Sequence, residues 1–171
     1  MLRKTKLEEL EQVMKIIEDG RIFLKEQGIN QWQHGEPSRE TIINDINEGI
    51  SYVFEKSGEI VATAMISSFD EDYERYPTIW TANSSYLAIH RISTASGLRN
   101  QGIAREFMKD IYLLAKSQNI NFLRIDTHLN NNIMRKFLSS FGFIEKEIIK
   151  LSIKNNLEDK ERIVYELKVK Q

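Results

Sequence analysis

Residues Leu87 to Ala104, LAIHRISTASGLRNQGIA, decide how this chain is read. A short apolar strand runs into a tight turn containing Gly102, and the turn opens directly onto an amphipathic helix. The first N–H groups of any helix lack intrahelical partners and face an anion favourably. With Arg99 beside them, the arrangement suits a phosphate-bearing ligand. The turn lacks the GK[ST] of a P-loop and the three glycines of a dinucleotide fold, so taken alone it also fits an ordinary strand–helix connection.

Working outward, strands are expected over 86–93 and 122–127, on either side of the helix that starts at Gly102 and breaks at Asn119. Phe107, Met108, Ile111, Leu114 and Ala115 give that helix a buried face. Strand–helix–strand implies a parallel pair with a right-handed crossover. Upstream, Leu7, Leu10, Val13, Met14 and Ile17 predict a first helix ending near Gly20, with a second short helix over 21–26. An irregular segment, 28–37, precedes a helix started by Pro37-Ser38 and closed by Gly49. Strands follow over 51–55 and 59–67, then a long acidic, Tyr-rich loop over 69–82. Downstream, a helix over 131–140 ends at Gly142, and strands over 143–151 and 162–169 flank a polar turn. The expected fold class is α/β, one domain over 1–171 with a mixed sheet.

At 171 residues the chain can bury roughly two-thirds of its unfolded surface. A net charge of −1 gives no reason to expect a nucleic acid or an anionic membrane as partner. No apolar run approaches the ~20 residues of a membrane span, and the charged start is unlike a signal peptide, so a cytoplasmic location is expected. Cysteine is absent, which excludes disulfides, thiolate nucleophiles and Cys-based metal sites. His34, His90 and His128 lack the spacing of a zinc motif, and no metal is expected.

The pattern Arg99-x-x-Gly102-x-Ala104 after an apolar strand resembles the (Arg/Gln)-x-x-Gly-x-(Gly/Ala) signature of the GNAT superfamily of N-acetyltransferases. Leu123-Arg124-Ile125-Asp126-Thr127-His128, Asn131-x-x-Met134-x-x-Phe137 and Phe141-Gly142-Phe143 are similar to that superfamily's fifth strand, cofactor-side Asn and closing Gly-Phe. Gly28-Ile29-x-Gln31-Trp32 and Gly35-x-Pro37 resemble the amino-terminal region of one bacterial branch. The resemblance implies a mostly antiparallel twisted sheet whose fourth and fifth strands run parallel and splay apart. It implies acetyl-CoA as cofactor, with its pyrophosphate on the turn of Arg99, Asn100, Gln101, Gly102, Ile103 and Ala104. Its pantetheine would lie along the backbone of Ile92, Ser93 and Thr94, with Asn131 nearby, and a backbone amide near Ile92 would polarise the acetyl carbonyl.

An alkylamine acceptor with a pKa near ~10.4 must lose a proton before it attacks. His90 is the candidate base, because its reference pKa of ~6.5 suits the task. By strand alternation it is expected to share a face with Ala88, Ile92 and Thr94. Within the resemblance it matches one of the histidines proposed to relay protons in the serotonin N-acetyltransferase branch, whereas Ala88 stands where histone-acetylating members carry a catalytic Glu. A half-buried, hydrogen-bonded structural His is the alternative. Leu138 occupies the place of the Tyr that protonates the leaving thiolate in many relatives, which leaves that role to Ser139 or water.

Acceptor recognition is expected from Gln31, Trp32 and His34, from Tyr73 and Trp80 in the acidic loop, and from Asp126 and His128 at the end of the fifth strand. Each has a structural alternative: Trp32 as simple packing, Asp126 as a turn cap, and the Tyr73–Trp80 aromatics as the rim of a homodimer. Arg91 and Arg124 are expected to pair with acids. The leading expectation is an acetyl-CoA-dependent N-acetyltransferase acting on a small-molecule or peptide amine. An acyltransferase using another acyl group or an oxygen acceptor, and a non-catalytic acyl-CoA-binding or regulatory protein, are the alternatives.

Overall fold

Alternating and continuous apolar runs become strands, and runs with a 3.6-residue period become helices, in the computed structural model, which describes residues 1–170. The order is β1 (Leu2–Lys4), α1 (Leu10–Glu26), α2 (Arg39–Asn47), β2 (Ser51–Lys56), β3 (Glu59–Ser67), α3 (Glu71–Glu74), β4 (Tyr86–Thr94), α4 (Ile103–Ser117), β5 (Phe122–Thr127), α5 (Asn132–Phe141), β6 (Ile144–Lys150) and β7 (Glu161–Lys168). The strands form one seven-stranded sheet in the order β1-β2-β3-β4-β5-β7-β6. β4 and β5 run parallel, joined by α4, and the other neighbouring pairs are antiparallel. Among the described residues, no helix is long and apolar enough to cross a membrane.

Successive side chains on a strand point to opposite faces, and the sheet is covered on both. On one face Phe107, Met108 and Ile111 of α4 and Leu138 of α5 pack against Leu87, Ile89, Leu123 and Ile125. These side chains are essentially inaccessible to water, and burying each contributes about 1.5–3 kcal/mol before the entropy of ordering is counted. On the other face Leu10, Val13 and Ile17 of α1 and Ile42 of α2 cover Val53. Further along the sheet, Tyr73 and Trp80 pack over Tyr86, Ala88, Phe122 and Val164.

Four local expectations change. The chain opens with β1, paired with β2 through Leu2↔Phe54 and Lys4↔Tyr52; three residues, two of them basic, carry no readable alternation. The acidic segment 69–82 is a packed element, because α3 is capped by the Asp70 carboxylate on the Tyr73 N–H at 2.9 Å and because Tyr73 and Trp80 are buried, although Phe69 stays exposed. The alternation of β4 is interrupted, as described with the site below.

Finally, α1 does not end at Gly20 but continues to Glu26. Gly20 is there for close approach: a Cβ would lie 2.6 Å from Ser93 Oγ on β4 and 2.9 Å from the Trp32 ring. Ser93 cannot easily retreat, because its hydroxyl donates to the Ile16 carbonyl at 3.0 Å. Helix propensity alone would make Gly20→Ala stabilising by about 1 kcal/mol. Overpacking against β4 should reverse that sign and destabilise by about 1–3 kcal/mol. Thermal denaturation of the variant checks this, and a raised Tm would show that the α1–β4 contact is loose.

Candidate active site

The site begins where β4 and β5 stop pairing. Their parallel register runs from Tyr86↔Phe122 to Ile89↔Ile125 and goes no further, although β4 continues to Thr94 and β5 to Thr127. Beyond that point each strand keeps its outer neighbour: β4 stays on β3 through Ser93↔Thr63, and β5 stays on β7 through Asp126↔Val164. The inner edges therefore face a gap, where backbone N–H and C=O groups lack a strand partner and are open to water or a ligand.

A bulge in β4 makes the parting possible. Thr63 and Met65 of β3 face Ser93 and His90, so β4 carries one extra residue there. Arg91 takes it up in a left-handed conformation, φ 51°. Such a conformation is strained for an arginine and persists when the surroundings fix it. Here the guanidinium grips Asp45 of α2 with two bonds, 2.9 and 2.7 Å. The bulge also resets the alternation. His90 shares a face with Ala88 and Ser93, whereas Ile92 packs with the α4-side core and Thr94 pairs with Ala62 of that core. The expected common face of His90, Ile92 and Thr94 is overturned for this reason.

The gap opens into a cleft of about 1040 Å³. At one end is the turn into α4. Asn100 and Gly102 adopt left-handed conformations, φ 63° and 81°. Gly102 is the N-cap and offers no side chain to the first-turn N–H groups. The space above Gly102 is open, with nothing within 4 Å of where a Cβ would stand. Arg99 stacks over Phe23 of α1 at 4.1 Å and donates to the Asp19 carbonyl at 2.7 Å, so α1 fixes the turn from behind. Asn131 reaches the cleft from the start of α5, its side-chain oxygen capping Met134 N–H at 3.1 Å.

At the other end, His90 lies between two carboxylates with its side chain 19% exposed. Nε2 is 2.7 Å from Asp70, and Nδ1 is 3.5 Å from Asp126. Burial, the largest single influence, favours the neutral ring. The Asp70 hydrogen bond and the charge of Asp126 together outweigh it, and the His90 pKa is raised above its ordinary value. The Asp126 carboxylate also accepts from the buried Tyr73 hydroxyl at 2.6 Å. That hydroxyl is held protonated, first by burial and then by the neighbouring negative charge.

Two loops close this end. The α1–α2 segment brings Gln31, Trp32 and His34 to the cleft wall, and the β6–β7 loop brings Ile153, Glu158 and, where β7 starts, Arg162. They are stitched together: Asn30 donates to the Leu157 carbonyl at 2.8 Å, and Gln33 N–H donates to Glu158 at 3.3 Å.

The sequence model of the acetyltransferase (GNAT) family matches residues 11–143. The chain belongs to that family. Among solved structures it is similar to a GNAT-family acetyltransferase from Streptococcus agalactiae, at 27% identity and a TM-score of 0.84, over 100% of this chain and 95% of that one. A GNAT-family acetyltransferase from Listeria monocytogenes matches at 19% identity and a TM-score of 0.73, over 98% and 94%. The ribosomal-protein-S18-alanine N-acetyltransferase of Escherichia coli shares the fold at 13% identity and a TM-score of 0.64, over 100% and 94%. No curated protein sequence matches.

The GNAT cleft gathers His90, Ile92, Ser93, Thr94, Arg99, Asn100, Gly102, Ile103, Ala104, Asn131, Asp126, Gln31, Trp32 and His34 on one wall or the other. It does not gather the rest of the expected residues. Tyr73 is fully buried and stands behind Asp126, and Trp80 donates its indole N–H to the Tyr73 carbonyl at 3.1 Å. Burial removes both from direct contact with an acceptor and from any dimer rim. His128 accepts the Asn130 N–H on Nδ1 and meets Asp159 through Nε2 at 2.8 Å, which makes it a brace between the β5–α5 turn and the β6–β7 loop. Gln101 is exposed and turns its side-chain amide to the Gly97 carbonyl. Ser139 lies on a separate shallow pocket with Arg135 and Tyr165, so it does not reach the cleft. Arg124 pairs with Glu166 at 3.0 Å, sandwiched between the Trp80 and Tyr86 rings. The sequence reading missed Glu158 and Arg162; an acid and an arginine bounding a polar turn carry no signal until that turn meets the 30s segment.

Asp70→Asn keeps an N-cap for α3 but removes the charge that raises the His90 pKa. An NMR titration of the imidazole should place wild-type His90 above the ~6.5 reference and the variant lower. An unchanged midpoint would show that Asp70 does not set the ionisation of this ring.

Proposed function

We propose that this GNAT-family chain transfers the acetyl group of acetyl-CoA directly to a primary amine of a small molecule or peptide. The observation that carries the reading is the parting of β4 and β5 beyond Ile89 and Ile125, with the uncapped start of α4 at one end and His90 at the other. Bound acetyl-CoA would supply a thioester carbonyl activated toward amines. The edge of 92–94 that faces away from β3 has no partner on β5, and with the turn 99–104 it is suited to hold the arm and pyrophosphate. Without cysteine, the chain has no thiol to carry the acetyl group, which favours direct transfer.

His90 is the group placed to take the amine proton. Asp70 orients Nε2 and Asp126 faces Nδ1, so the ring is held in one plane and its positive form is stabilised. A stabilised imidazolium is the right product of deprotonating an ammonium, but it makes His90 a weaker supply of neutral base near pH 6. Leu138 is wholly buried in the core and offers no proton to the departing sulfur. A thiol with a pKa of roughly 8–9, by analogy with cysteine, leaves as thiolate without help at mildly alkaline pH.

His90→Ala should lower kcat by about 10²–10⁴-fold, the usual range for a general base, while acetyl-CoA binding measured by calorimetry stays nearly unchanged. Arg99→Ala should do the opposite, weakening acetyl-CoA binding by about tenfold with a smaller loss in kcat. The wild-type pH profile of kcat/KM should rise through a limb above pH ~6.5. In Asp70→Asn that limb should move to lower pH, because the neutral ring is then reached sooner. A pH-independent rate between 6 and 9, or full turnover in His90→Ala, would remove His90 as the base.

A further inference from the structure

At the His90 end of the cleft, one cation has no part in the proposed reaction and is only partly satisfied by the fold. Arg162, at the start of β7, is 3% exposed, yet it forms part of the cleft wall. Its Nη1 donates to the carbonyls of Asp159 at 2.7 Å and Glu161 at 3.0 Å, which fixes the guanidinium plane. Its Nε is buried and has no acceptor. The nearest carboxylate oxygen, Asp126 Oδ1, stands at 3.8 Å, too far for a hydrogen bond. A buried donor left unpaired is costly, and a guanidinium edge fits a carboxylate in geometry and charge. Gln31 Oε1, on the same cleft wall, is likewise buried without a partner.

The surroundings indicate what such a carboxylate would be attached to. Asp126 lies between Arg162 and His90, so a negative group at Arg162 adjoins a carboxylate beside the base. That carboxylate favours a positive group next to the negative one. Trp32, Pro37, Leu151 and Ile153 supply apolar wall in the same cleft. Leu151 is tied close to Arg162, because its N–H donates to the Lys160 carbonyl at 2.9 Å. The opposing possibility is a polycation drawn by Asp126, Glu158 and Glu36, which also line the cleft. It leaves the Arg162 Nε without an acceptor and places a like charge beside it.

We infer that the acceptor is an amino-acid-like zwitterion with an apolar side chain, its carboxylate received by Arg162 and its amino group directed to Asp126 and His90. This rests on the acetyltransferase reading and names the substrate class of that same site. Arg162 is the residue that determines specificity, reading the group that distinguishes an amino acid from its amide or its decarboxylated amine.

The test uses the full chain saturated with CoA, titrated calorimetrically with L-phenylalanine, L-leucine and L-methionine, each beside its primary amide and its decarboxylated amine, and with spermidine. At least one free acid should bind roughly ten- to a hundredfold more tightly than its amide, the span of one charge-assisted hydrogen bond. Arg162→Gln should abolish that ratio while leaving CoA affinity unchanged, and Arg162→Lys should restore part of it. Both variants are checked for folding by their melting curves. Amides or spermidine binding as well as the acids, no acid binding at all, or a ratio unchanged in Arg162→Gln would each overturn the inference. Failure of the wild-type chain to bind CoA would instead defeat the underlying acetyltransferase reading.

Discussion

The structure depends on one constraint: β4 must be paired with β5 at its start and released from it at its end. Parallel pairing from Tyr86 to Ile89 lets α4 pack its apolar face on the sheet, and this supplies most of the core. Continued pairing would close the cleft. The extra residue at Arg91 redirects the strand, and the Arg91–Asp45 fork holds the strained backbone against α2. Such an ion pair gives little net stability once desolvation is counted, but it fixes geometry. It also reaches across to the helix layer that carries the α1–α2 loop, so the bulge and one wall of the cleft are positioned together.

The two ends of the cleft are built from different materials. The end at the start of α4, which we propose holds the cofactor, is mostly backbone: two strand edges, a glycine N-cap and helix N–H groups. Recognition there needs small residues and particular dihedrals more than particular side chains. The His90 end, which we propose receives the acceptor, has charged side chains taken out of water, and these are stable only in company. His90 is flanked by Asp70 and Asp126, and Asp126 by Tyr73 and Arg162; away from the cleft, Arg124 is likewise held by Glu166 and two aromatic rings. The packed aromatic block of Tyr73, Trp80 and Tyr86 gives this network its rigid floor. Substitution in that block would be felt at His90 through Asp70 and Asp126, although none of the three rings lines the cleft.

The same layout explains the behaviour of histidine in this protein. All three histidines hydrogen-bond to a side chain from another part of the turn or fold: His34 to Asn30, His90 to Asp70 and His128 to Asp159. His90 differs because both ring nitrogens face carboxylates and because it stands where the inner edge of β4 is free. Position in the sheet, rather than the residue type, separates the candidate base from His34, which lines the cleft from a loop, and from His128, a structural brace.

Most strand and helix positions, the parallel crossover and the phosphate-suited turn at 99–104 were legible in the sequence, because each is written in local periodicity, turn chemistry or a short motif, whereas β1 and α3 were not; His90 was a candidate by its residue type and by family resemblance. Gly20 was misread, since a glycine at the end of an apolar pattern looks like a stop and only the approach of β4 shows that it is a contact. The face of Ile92 was misread because an extra residue in a strand leaves no mark on the alternation until its partner is seen. Tyr73 and Trp80 carried the composition of a binding loop but became core, because burial is a property of what packs on a residue and not of its neighbours in the chain. Arg162 and Glu158 were invisible for the same reason. Local sequence therefore determined the elements and the chemistry available to them, whereas tertiary structure decided which charged groups were left facing the cleft, since desolvation and pairing arise only when distant segments meet.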